Sequence, residues 1–193
     1  MVRYFRMERC DACRLPLEDC FCASLQPLAT RTAIVMFLHR SEANRPSNTG
    51  QLAASMLESC QIVLHGAAEQ TQVPHIESSA LVLHPEGRAI EPTDAGRTLL
   101  IADGTWSQVR HMMQRIPALR DAESVSVPTP DEPRELLRKA RCAGQLSTCE
   151  ALARALGIVE APEIERALLE KLDVMLDRGF TRRGLHHMVR GQP

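Results

Sequence analysis

Four continuous apolar runs limit what this chain can fold into. "RTAIVMFLH" (31–39), "QIVLH" (61–65), "ALVLH" (80–84) and "TLLIA" (98–102) show little of the polar alternation of a half-exposed strand. A strand that is apolar at successive positions needs cover on both faces, which is the pattern of a parallel sheet held between helices. "SVSV" (124–127) is a weaker fifth candidate. Between and after these runs the apolar spacing turns helical. Ala53, Met56, Leu57 and Cys60 fall at i, i+3, i+4 and i+7, as do Val109, Met112, Met113 and Ile116, and again Cys149, Leu152, Ala153 and Leu156. Ile164, Leu168, Leu172, Met175 and Leu176 predict one long amphipathic helix over 162–178. Strands alternating with helices predict an α/β fold with a mostly parallel sheet and flanking helices. "PTPDEP" (128–133) reads as a loop, because its three prolines fit neither a helix interior nor a central strand.

The 193 residues suit one domain with a small appendage. No apolar stretch approaches the ~20 residues that span a bilayer, and "MVRYFRMERC" lacks the apolar core of a secretory signal. The expectation is a cytoplasmic protein with no membrane partner. A net charge of −1 argues against a polycation, so a nucleic-acid partner would be met by a local patch.

The appendage is the segment "CDACRLPLEDCFC", which sets Cys10, Cys13, Cys20 and Cys22 as C-x2-C-x6-C-x-C. In a reducing compartment such crowding points to a metal rather than to disulfides. Four thiolates close a tetrahedron around Zn²⁺ and leave no open position, so the site is expected to be structural. Residues 1–28 are read as a cysteine-rich zinc-binding knuckle, and 29–193 as an α/β domain ending in a helix and a basic tail. Cys60, Cys142 and Cys149 are scattered and read as core residues.

Ligands of open parallel sheets bind beyond the carboxyl ends of the strands, and three segments fall there. In "LHRSEANRPSNTG", Asn48, Thr49 and Gly50 lead into a helix whose free N–H groups favour an anion, unless they serve only as a cap. In "IADGTWSQVRHM", Asp103 ends a strand, Gly104 permits a turn, and Thr105 and Gln108 have capping-box spacing, which leaves Asp103 free to face a cleft. Trp106, the only tryptophan, shares a helix face with Val109, Met113 and Ile116 and so also fits plain core packing. In "GQLSTCEALARAL", Ser147 and Glu150 form a second S-x-x-E box, and Thr148 stands in the first turn.

These segments, in this order from residue 10 to about 156, resemble the DTW-domain family of tRNA-uridine aminocarboxypropyltransferases. The resemblance implies a knotted fold similar to that of SPOUT methyltransferases. It implies S-adenosylmethionine (SAM) as donor, uridine N3 in tRNA as acceptor, transfer of the 3-amino-3-carboxypropyl group to give acp3U, and release of methylthioadenosine. By matching position it makes Asp103 the catalytic acid/base. It lines the donor site with Thr49, Gly50, Trp106, Leu146, Ser147 and Thr148, with Thr148 near the donor's carboxylate. Arg134, Arg138, Lys139 and Arg141 precede the third segment and read as an RNA patch, while Arg178, Arg182, Arg183 and Arg190 in the tail fit a second patch and a frayed terminus equally. The other readings are a knotted RNA methyltransferase and a zinc-containing RNA-binding protein without catalysis. A monomer and a homodimer both fit.

Overall fold

In the computed structural model of the protein, the described residues are 8–66, 72–130, 134 and 145–182. Five strands, β1 (Ile34–His39), β2 (Cys60–His65), β3 (Leu81–Ala89), β4 (Leu99–Asp103) and β5 (Glu123–Ser126), form one sheet in the order β2-β1-β4-β3-β5. Each of its four pairings is parallel, as the apolar runs predict. The helices are α1 (Thr49–Met56), α2 (Trp106–Arg115), α3 (Pro117–Asp121), α4 (Thr148–Val159) and α5 (Pro162–Arg182).

Alternate residues of each strand feed two cores. Ile34, Met36, Leu99 and Ile101 join Leu52 and Met56 of α1, Leu152 and Leu156 of α4, and Leu168, Leu172 and Met175 of α5. Val35, Phe37 and Leu100 join Met112 of α2 and Leu119 of α3. The result is a sheet covered on both faces, which is why its central strands carry no polar alternation. Each large side chain so buried contributes about 1.5–3 kcal/mol. None of the described helices is long and apolar enough to cross a membrane.

The topology creates a crevice. β1 and β4 are neighbours, but the chain leaves β1 through α1 toward β2 at one edge and leaves β4 through α2 and α3 toward β5 at the other. Connections that diverge from adjacent parallel strands leave a gap at their carboxyl ends, the usual ligand position in such sheets.

Several boundaries differ from the sequence reading. The helical spacing that runs to Cys60 stops at Met56. Leu57 is extended and bridges Leu28, and Cys60 already pairs with Ile34 as the first residue of β2. Sheet pairing thus overrides the local period. β3 continues past residue 84 through a bulge between Leu83 and Arg88, where Gly87 lies so close to β5 that a Cβ would overlap the Val125 nitrogen. Ile116 ends α2, and Pro117 opens the short α3. α5 extends to Arg182.

The cysteine-rich segment packs on the main body. Cys13, Leu15 and Phe21 belong to the same core as α1, α4 and α5. Arg178 of α5 lies 5.2 Å over the Phe21 ring and donates to the Asp19 carbonyl. Arg14 has a positive φ of 57°, costly for a residue with a side chain, and its guanidinium donates to Gln51 Oε1 of α1 at 2.9 Å.

Beside β3, Asp94 is buried and receives Arg88 at 2.7 and 2.8 Å and Arg97 at 3.0 Å. The Arg88 guanidinium holds its carboxyl well below the usual carboxylate range, outweighing the opposite effect of burial. A carboxylate whose pKa is depressed on folding stabilises above the unfolded value of ~3.9, and that stability is lost as pH falls toward the folded value. The thermal midpoint is therefore expected to drop as pH falls below about 4, and Asp94→Asn to flatten that dependence. Calorimetry across pH 2–6 tests this, and an unchanged slope in the variant would refute it.

Candidate functional site

β1 and β4 end level with each other, Leu38 pairing with Asp103. Asp103 closes β4 at the crevice and is only 7% exposed. Its Oδ2 accepts Asn48 Nδ2 at 2.5 Å, and its Oδ1 accepts Thr148 Oγ1 at 2.5 Å. The Asn48 Oδ1 caps α1 by accepting the Gln51 N–H at 2.9 Å. Thr49 Oγ1 accepts the Cys149 N–H of α4 at 3.3 Å. The three segments singled out in the sequence therefore meet at one carboxylate, and two helix N-termini flank it. Gly50 is where side-chain size matters, since a Cβ would stand 3.1 Å from both Asp103 Oδ2 and Met36 Sδ.

Around this junction lies a cleft enclosing about 580 Å³ with its open mouth, lined by Glu42, Ser47, Asn48, Thr49, Asp103, Gly104, Gln145, Leu146, Ser147, Thr148 and Leu176. Of the residues expected at a donor site, Thr49, Leu146, Ser147 and Thr148 line it, and Gly50 lies behind Asp103. Trp106 does not line it. It opens α2 two residues beyond Gly104, is 36% exposed, and is absent from the core that receives Val109 and Met113.

The two expected capping boxes fare differently. In α2 both halves form: Gln108 N–H to Thr105 Oγ1 at 3.4 Å, and Thr105 N–H to Gln108 Oε1 at 2.8 Å. The Gln108 amide also donates to Ser41 Oγ at 2.9 Å, tying α2 to the loop after β1. In α4 only half forms. Ser147 Oγ accepts the Glu150 N–H at 3.2 Å, but the buried Glu150 carboxylate turns away to Arg134 and Arg154, at 3.3 and 3.2 Å. An arginine pair is a stronger partner for that carboxylate than a backbone N–H. Arg134, expected to face RNA, is thus engaged by Glu150 and by Asp173 at 2.8 Å. Arg138, Lys139, Arg141, Arg183 and Arg190 lie outside the described residues.

The sequence reading missed Glu42, Gln145 and Leu176 as lining residues. Glu42 is 1% exposed and lies 3.1 Å from Arg45 Nε, so the cleft holds two buried carboxylates. It stands in a segment the sequence marks, but a buried glutamate has no local signature.

The four sulfur atoms of Cys10, Cys13, Cys20 and Cys22 lie within 4.8 Å of one another. Cys10–Cys22 and Cys13–Cys20 are 3.5 and 4.0 Å apart. A tetrahedron with Zn–S bonds of about 2.3 Å has sulfur–sulfur edges of about 3.8 Å, so the cluster could hold a metal ion of that size. Burial pushes the Cys13 and Cys22 thiols up. Cys10 is pulled down to about 7 because backbone N–H groups of Cys13 and Ala12 and the neighbouring thiols outweigh burial. Four thiolates so close together need a cation to persist. Cys149 is buried, Cys60 is half-buried in β2 rather than on a helix, and Cys142 lies outside the described residues.

The family model of the DTW domain matches residues 7–179. Over 194 residues the chain is 26% identical to a Drosophila melanogaster protein named tRNA-uridine aminocarboxypropyltransferase 2, covering 90% of this chain and 77% of that protein. Proteins of the same name from Macaca fascicularis and Mus musculus are 26% and 25% identical over 187 residues. Each of these covers 88% of this chain, which spans only 63% of their length. No solved structure matches.

Proposed function

The chain belongs to the DTW-domain family, and on that premise we propose that it transfers the 3-amino-3-carboxypropyl group of SAM to N3 of a uridine in tRNA. The names of the three relatives support the reaction class. The observation that carries the reading is the buried Asp103 carboxylate, set between two helix N-termini in a cleft that also contains Glu42. SAM carries a carboxylate, an ammonium and a sulfonium. Helix N-termini favour the first, and buried carboxylates favour the cations. Thr49, Leu146, Ser147 and Thr148 would line the donor, Gly50 would keep Asp103 in place, and Trp106 would stand at the rim. The helix ends contribute mainly through their dipoles, because Thr49 and Ser147 already take the Cys149 and Glu150 N–H groups.

SAM supplies an activated carbon whose sulfur leaves as a neutral thioether, methylthioadenosine. The protein's work is to orient and to move a proton. Uridine N3 is protonated near neutral pH. Asp103 would accept that proton as N3 forms its bond to carbon and the carbon–sulfur bond breaks. Asn48 and Thr148 donate to Asp103 and fix the carboxylate's aim. The cysteine cluster would hold Zn²⁺ in a structural role, remote from the reacting atoms.

Donor labelling tests the reaction. Carboxyl-labelled SAM is expected to mark tRNA in the presence of the protein, and methyl-labelled SAM is not. Methyl label in the RNA would instead establish the knotted methyltransferase. Absence of SAM binding by calorimetry would leave the non-catalytic RNA-binding reading.

A further inference from the structure

The outer half of α2 is a cationic face that begins at the cleft and has no assigned role. At 100° per residue, Trp106, Arg110, His111 and Arg115 fall on one half of the helix, with Ser107 and Gln114 between them, and all are exposed. The other half carries Val109, Met112, Met113 and Ile116 into the core. α2 contains no acidic residue, in a chain whose net charge is −1. Beside α2, the loop after β1 exposes Arg40 and Arg45 and is tied to α2 through Gln108 and Ser41. Glu42 of that loop is turned inward, to 1% exposure. Among the described residues Arg40, Arg110 and Arg115 have no ion-pair partner, unlike Arg134, which Glu150 and Asp173 hold.

We propose that this rim, α2 with the loop after β1, is where the phosphate backbone of the acceptor RNA docks, rather than Arg134. Resting on the transferase reading, the inference adds where the substrate lies. Arginines without acidic partners suit a polyanion, since phosphates can replace water and counterions around them without breaking an internal pair. The helix starts two residues beyond the cleft-lining Gly104 and rises about 13 Å from Trp106 to Arg115. A backbone laid along it passes the cleft mouth, where a single base can enter.

The test is filter binding of the full chain to unmodified tRNA from about 50 to 200 mM salt, with a double variant Arg110→Ala, Arg115→Ala. The slope of log K against log salt is expected to become shallower by about one for each arginine removed. KM for tRNA should rise while SAM binding by calorimetry and the thermal midpoint stay unchanged. Arg120→Ala, which removes an arginine already paired with Asp121, should leave the slope alone. A double variant with the wild-type slope and KM would overturn the surface and leave the transferase reading standing. A wild-type protein that transfers no carboxyl label, yet binds tRNA through Arg110 and Arg115, would sink the transferase reading and keep the surface.

Discussion

Asp103→Asn is expected to lower the rate of transfer to tRNA by about 10²–10⁴-fold, the usual worth of a positioned proton acceptor. Asparagine keeps the size of aspartate and one of its two acceptor oxygens, so SAM affinity and the fold should survive better than the rate. One contact cannot survive unchanged. Asn48 and Thr148 both donate to Asp103, and an amide nitrogen would face one of those donors. A loss of about 1–3 kcal/mol in stability is the expected accompaniment. The separating measurement is single-turnover transfer with saturating SAM, read by nucleoside mass spectrometry across pH. A rate lowered by the same factor at every pH would leave Asp103 an aligning group, whereas a rate that recovers as rising pH ionises N3 would support its role as proton acceptor. A single-turnover rate equal to that of the wild type would remove it from the reaction.

Replacing Cys10 and Cys13 with serine should release about one zinc per chain and destabilise the whole protein. Apparent zinc binding in small structural sites is worth about 10–16 kcal/mol, and the stability of a domain is about 5–15 kcal/mol. Even a fraction of the former is large beside the latter. The effect should spread because Cys13, Leu15 and Phe21 share a core with α1, α4 and α5. Elemental analysis with thermal unfolding, before and after chelation, checks both halves. Metal-free protein with an unchanged midpoint would exclude the structural role.

The sheet was legible because its central strands are buried on both faces. An apolar run such as 34–38 keeps its side chains from water only when both faces of the sheet are covered. The three segments of the cleft were legible because strand ends, caps and a glycine turn are local signals. Contacts made across the fold were not. Nothing near Leu57 announces that Leu28 will draw it out of a helix. Nothing near Asn48 shows that its amide will bridge α1 to a carboxylate 55 residues away. Glu150 has the spacing of a capping box, yet two arginines outcompete the backbone for it. Trp106, which helical spacing suggested for the core, is 36% exposed and stands outside the core that receives Val109 and Met113, so that spacing alone misplaced it. Helix period fixes which way a side chain points from its own axis, not what the rest of the chain brings opposite.

Arg14, in its left-handed turn between two of the cysteines, donates to Gln51; the Gln51 N–H is capped by Asn48; Asn48 donates to Asp103. These three hydrogen bonds make a mechanical linkage from the cysteine cluster to the Asp103 carboxylate. If the cluster held a metal and then lost it, every group of the cleft would remain while the strut that aims one of them went, so a transfer that relied on Asp103 would fade through misalignment with no residue of the cleft altered.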